Sequence, residues 1–266
     1  MIIHQLRNAT MVIEAAGQHI LVDPMLGGKG SIPPFSFFRF RPKRNPLVEL
    51  PRNSDEILHR VTFCLITHCH TFGRKALNHQ DHLDQAGIDF LKKRRIPIIC
   101  RTQDGDFIKK LGLTVSDALA YGEPQPFCGG EIIAIPARHG HGWIHHLMAN
   151  GTGFVLRLPG EPSLYIFGDT VYTTQVRKAV EQYRPDILVV AAWGAQLDIG
   201  GPILMQLDEI VEVIQHAPKM VIANHLEALN HCPITRKQLY DRLKNEGLLE
   251  KAAIPLDGET IRIDEQ

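Results

Sequence analysis

The stretch CLITHCHTFGRKALNHQDHLD at residues 64–84 puts His68, His70, His79, Asp81 and His82 within fifteen positions after an apolar run. Imidazole and carboxylate together are the donor set that a borderline divalent ion such as zinc, manganese or iron accepts. If residues 68–70 continue extended, side chains alternate, so His68 and His70 share one face and Cys69 packs on the other. A plainer reading makes Asp81 the cap of a helix through Leu83, Ile88 and Leu91, with the histidines left in solvent.

Three more positions favour the metal. His139 follows EIIAIPAR, Asp169 follows SLYIFG and His225 follows MVIAN, each a short apolar run that reads as a strand. One histidine after a strand is ordinarily a surface residue. Strand ends along one edge of a sheet, however, converge on a common crevice, so four of them delivering ligand-type side chains point to one shared site.

The elements that must position these residues are visible as β-branched runs at 11–15, 19–23, 61–67, 96–100, 131–135, 153–158, 163–167, 187–192 and 220–224. Helical patterns lie between the later ones, with Val176, Val180 and Tyr183 on one face and Leu207, Ile210, Val211 and Ile214 on another. Thr235 and Gln238 have capping-box spacing and Gly247 is a natural stop. The order of elements predicts an α/β chain with sheets inside and helices outside. With no Ser/Gly linker, residues 1–266 read as one domain whose two pseudo-symmetric halves meet near 125. Residues 26–51, rich in Pro, Gly, Phe and Arg, read as a long loop of the kind that often carries function.

Lys+Arg and Asp+Glu number 29 each, so no global field draws the chain to nucleic acid or an anionic membrane. The five cysteines are scattered without a C-x-x-C pair, which fits a reducing compartment. The absence of a leader-like N-terminus or a long apolar run reads as soluble and cytoplasmic.

The ordered set T-H-x-H, D-H, a single His, G-D-T and a final His is similar to the metallo-β-lactamase superfamily, and resembles most the branch like L-ascorbate-6-phosphate lactonase. The resemblance rests also on ATMVIEAAGQHILVDPML near the start, RHGHG at 138–142, YIFGDT at 165–170 and ANHLEALNHCPITR at 223–236. It implies a four-layer αββα sandwich with two divalent metal ions, zinc or else manganese or iron. His68, His70 and His139 would bind one ion, Asp81, His82 and His225 the other, and Asp169 would bridge them. A water between ions ~3.5–4 Å apart becomes a nucleophile at neutral pH. Asp81 would orient it and pass its proton to the leaving group.

Two departures stand out. Relatives run H-x-H-x-D-H without interruption, whereas nine extra residues sit inside it here. Either His70 stays beside His68 and 72–80 are extra, or 70–78 are extra and His79 takes the ligand place. The first is favoured because one short segment then fixes both imidazoles with little loop entropy against it. Arg7-Asn8 also replaces the relatives' Gly-His, and reads as peripheral.

Around this set, His231 and Glu227 could contact substrate or the far nitrogen of a bound imidazole, as could His141. His145 and His146 read as a polar loop. Arg39, Arg41, Lys43 and Arg44, interleaved with Phe37, Phe38 and Phe40, could clamp an anionic substrate. The expectation is a hydrolase for a small anionic substrate, a lactone or phosphorylated metabolite, with homo-oligomerisation open. The alternatives are a phosphodiesterase or nuclease, or a metal-binding protein disabled by the insertion.

Overall fold

The computed structural model describes residues 1–70 and 79–263. Its fourteen strands form two seven-stranded sheets. In the first, β1 (Ile2–Arg7), β2 (Thr10–Ala15) and β3 (Gln18–Val22) make an antiparallel meander, and β4 (Phe63–Ile66), β5 (Ile98–Arg101) and β6 (Val115–Leu119) continue it in parallel. The second repeats that plan: β7 (Pro124–Phe127), β8 (Gly130–Pro136), β9 (Thr152–Arg157) and β10 (Leu164–Ile166) are antiparallel, then β11 (Ile187–Ala191), β12 (Met220–Asn224) and β13 (Ala252–Ala253) are parallel. The last strand, β14 (Thr260–Arg262), returns to pair with β1.

Three apolar clusters give four layers. Ile20, Leu65 and Ile99 meet Ile132, Phe154 and Ile222 between the sheets. Leu21, Cys64 and Ile98, on the opposite face of the same strands, pack against helices α1 (Ser54–His59), α2 (Gln85–Arg94) and α3 (Thr102–Lys110). On the far side, Val190 and Val221 pack with α4 (Thr174–Tyr183), α5 (Leu207–His216) and α6 (Arg236–Asn245). This is the expected αββα sandwich. Both faces of the inner strands are covered, which is why they read as continuous apolar runs rather than alternating ones.

Local signals hold where backbone chemistry sets them. Thr235 and Gln238 form the capping box of α6, and Gly247 has φ +68°. The cap of α2 is Asp84, whose side chain accepts from Gly87 N–H, so Asp81 is not spent on capping. Asp84 also accepts from the backbone N–H of Leu26 and Gly27, tying the start of the 26–51 loop to that helix. No helix among the described residues is long and apolar enough to cross a membrane.

Candidate metal centre

Strands β3, β4, β10, β11 and β12 run in parallel pairs, so their C-terminal ends lie on one edge. Asp23 follows β3, His68 follows β4, Asp169 follows β10 and His225 follows β12, with His139 arriving after β8. Gly168 makes the approach of Asp169 feasible. Its φ is +64°, and a Cβ there would lie 2.6 Å from the Thr152 carbonyl oxygen.

Asp169 is the centre of the arrangement, 1% exposed. Its Oδ2 lies 3.3 Å from Nε2 of both His82 and His139, and its Oδ1 lies 3.2 Å from Nε2 of His225. Asp81 Oδ2 comes within 3.6 Å of His82 Nε2. His68 Nε2 and His79 Nδ1 face one another at 3.2 Å. Two sets have donor atoms within 4.8 Å of one another: His68, His79 and His139, and His68, His82 and Asp169.

The far nitrogens of these rings are held by the protein, which orients the near ones. His82 Nδ1 donates to Asp23 Oδ2 at 2.9 Å, His139 Nδ1 to the Ile203 carbonyl at 2.8 Å and His225 Nδ1 to Asn224 Oδ1 at 2.9 Å. Thr67 in turn donates its N–H and hydroxyl to Asp23 at 2.8 and 2.7 Å.

The electrostatics are those of a site built around charge. Burial opposes a proton on His82, but the carboxylates of Asp169, Asp81 and Asp23 outweigh it and hold its pKa well above the usual value. Burial would raise Asp169, yet His82 and His225 press it well below the ordinary carboxylate range. Burial and crowding by other histidines push His68 and His79 down, and burial lowers His139 and raises Asp81. Nε2 of His82 and of His225 and both oxygens of Asp169 are buried with no hydrogen-bond partner among the described residues. Buried polar atoms rarely go unpaired. Four around one point, all imidazole or carboxylate, fit a divalent cation.

Of the expected residues, then, His68, Asp81, His82, His139, Asp169 and His225 come together. His79 joins them, whereas His70 lies outside both sets, its ring stacked on Phe107 of α3 at 4.4 Å. The alternation argument fails because β4 ends at Ile66, before either histidine. The chain closes instead through Cys69 O, which accepts the His79 N–H at 3.3 Å, so position 79 adjoins 69 in space. Residues 71–78 of the insertion lie outside the described residues. Cys69 is buried in the apolar cluster between the first sheet and its helices, as expected.

Glu227 is paired with Arg236 at 2.7 Å and His141 with Glu209 at 2.9 Å. His231, buried, stands edge-on to Phe35 and Trp193 at 5.2 and 4.9 Å, and burial lowers its pKa to about 3. Trp193 stacks obliquely on His225 at 5.1 Å.

Asn8 is not peripheral. Its carbonyl accepts the His225 N–H, and its amide donates to the Asp81 carbonyl at 3.2 Å. Arg7, fully buried, donates to the carbonyls of Met25, Gly27 and Val48 and so pins both ends of the 26–51 loop. Asp23 is likewise absent from the expected set, although its signal was present: an acidic residue closing an apolar run, as Asp169 does.

A family model described as "Beta-lactamase superfamily domain" matches residues 18–225. The UPF0173 protein YddR of Bacillus subtilis (strain 168) is 32% identical over 261 residues, 97% of this chain and 98% of the relative. The chain is a metal-dependent hydrolase of the beta-lactamase superfamily, UPF0173 family. The crystal structure of a possible metal-dependent hydrolase from Veillonella parvula DSM 2008 superposes with a TM-score of 0.88 at 27% identity, covering 99% of each chain. That of an isothiocyanate hydrolase from Delia radicum gut bacteria does so with 0.87 at 28%, again over 99% of each. For this UPF0173 chain the apolar strands and the His/Asp candidates at their ends thus form one pattern.

Proposed function

We propose that this UPF0173 protein hydrolyses a small organic substrate, and that His68, His79, His139, Asp81, His82, His225 and Asp169 would together hold two divalent ions for that reaction. The supporting observation is the set of unpartnered buried atoms on Asp169, His82 and His225. Such ions supply Lewis acidity and a water of lowered pKa. The protein's own part is orientation. Asp23, Ile203 O and Asn224 fix three rings from behind, and the clustered strand ends hold the donors with little entropy left to lose. Asp81, at the less enclosed side of the cluster with His79, would hold a proton and deliver it to a leaving group, a role its residual exposure supports.

The bond cleaved is a finer matter. The lactonase-like resemblance favours a lactone, the Phe/Arg loop gave the anionic reading, and the similarity to an isothiocyanate hydrolase adds a neutral electrophile. Of the four loop cations, Arg39 is engaged by Gln196 and Arg44 by the Gly30 and Ser31 carbonyls, while Arg41 and Lys43 are exposed. Metal analysis of the purified protein, with a hydrolysis screen over lactones, isothiocyanates, phosphomonoesters and phosphodiesters, tests the reading. Metal-dependent turnover of a lactone or isothiocyanate is expected; turnover confined to phosphodiesters would favour the nuclease alternative.

A further inference from the structure

Among the described residues, seven large hydrophobic side chains are exposed, and five of them sit on three loops that touch one another: Phe37, Phe38, Trp143, Leu147 and Ile199. The carboxylate of Asp198 accepts the backbone N–H groups of Phe37, Phe38 and Arg39 and the Ser36 hydroxyl, which joins the first loop to the third. The His141 N–H donates to the Pro202 carbonyl, and a Cβ on Gly200 would lie 3.0 Å from Ile144, which joins the third loop to the second. Ile199, between Asp198 and Gly200, thus sits on the loop that joins the other two.

This rim is continuous with the metal centre. Phe35, two residues before Phe37, stands 5.2 Å from His231, His231 4.9 Å from Trp193 and Trp193 5.1 Å from His225, a largely buried run of rings that packs the base of the rim against the cluster. The second loop begins at His139, whose ring lies 5.3 Å from that of His79, one of the two cluster residues with residual exposure. Nor is the rim slack. Phe38 is 91% exposed, yet its backbone is clamped by Asp198, whose pKa those hydrogen bonds press far down. Apolar surface held out by a fixed turn costs free energy in water and is pre-organised for an apolar ligand.

We propose that Phe37, Phe38, Trp143, Leu147 and Ile199 form a subsite for the hydrocarbon arm of the substrate, so that this hydrolase selects alkyl- or aryl-bearing electrophiles over small polar ones. The proposal rests on the hydrolase reading above and adds the substrate class. The reacting group would reach the Asp169 cluster from the side of His79 and Asp81 while the arm lies on the exposed side chains of the rim. Each methylene buried there raises kcat/KM by roughly two- to fourfold until the rim is filled.

The test compares γ-lactones with side chains from methyl to hexyl, and isothiocyanates from methyl to phenethyl, on the metal-loaded wild type and on Phe38→Ser, Ile199→Ser and their double variant. The quantity read is the ratio of kcat/KM between the longest and shortest members. It should exceed tenfold in the wild type and fall toward one in the double variant. In parallel, calorimetry with n-alkyl carboxylates from butanoate to decanoate measures the same arm without turnover, and Kd should fall with chain length in the wild type only. Absence of turnover on every member, with the calorimetric trend intact, would sink the hydrolase reading and leave the subsite standing. A wild-type ratio near one with no trend in Kd would overturn the subsite. So would a wild-type dimer that Phe38→Ser dissociates, if binding showed no dependence on arm length, because the rim would then be a surface for a second copy.

Discussion

Position 79 against position 70 is the sharpest question at the scale of single residues. His79 faces His68 and His139 while His70 stacks on Phe107, so His79→Ala should lose bound metal and activity, and His70→Ala should keep metal content near that of the wild type. Metal analysis after gel filtration decides it, and the reverse pattern would return the ligand role to His70. Asp23 makes a second case. Its carboxylate is the only partner found for His82 Nδ1 besides the Thr67 hydroxyl among the described residues. Asp23→Asn keeps the shape but can present an amide to that nitrogen, and a loss of metal affinity on the order of 10- to 100-fold is expected in a competition titration with a chelator. Unchanged affinity would mean that Thr67 alone orients the ring.

At the scale of elements, what the sequence made legible follows burial. The nine interior runs read from β-branched residues all became strands, as each is covered on at least one face. The four outermost strands, β6, β7, β13 and β14, left no such run, and neither did β1, whose IIHQLR lies inside the sheet but carries polar residues over its second half. PQPF in β7 carries two prolines, tolerable only where one side of a strand goes unpaired, and VSDAL in β6 exposes its middle three residues. The candidate ligands after interior strands were legible for the same reason; Asn8 was not, because its role lies in backbone contacts at a left-handed turn with φ +55°. Two element-level expectations follow. Gly168→Ala, which would press a Cβ against the Thr152 carbonyl, should destabilise the fold by about 1–3 kcal/mol and weaken metal retention together. At the opposite ends of the strands, Asp186 accepts from Ser163 and Lys219, and these contacts prevail over burial to bring its pKa down to about 2. A carboxylate so depressed stabilises the fold above its unfolded pKa of about 3.9 and loses that stabilisation as pH falls toward 2. Asp186→Asn should therefore lower the urea midpoint at pH 7, and the gap from wild type should narrow below about pH 4.

For the whole molecule, two seven-stranded sheets pack face to face, and the candidate centre lies where their strand ends meet. Asp23, His68 and His82 come from the side of the first sheet, His139, Asp169 and His225 from the second, and the Thr152 N–H bonds the Thr67 carbonyl across the join. Metal binding is then linked to the pairing of the halves, so stripping the ions should lower the melting temperature of the entire chain rather than of one part. The most direct test of the account is the metal stoichiometry of the wild type and of Asp169→Asn, measured by plasma mass spectrometry on protein whose circular dichroism is unchanged. About two divalent ions per chain in the wild type, with one or none in the variant and no hydrolytic activity, is the predicted result. Equal stoichiometry in the two proteins would contradict it.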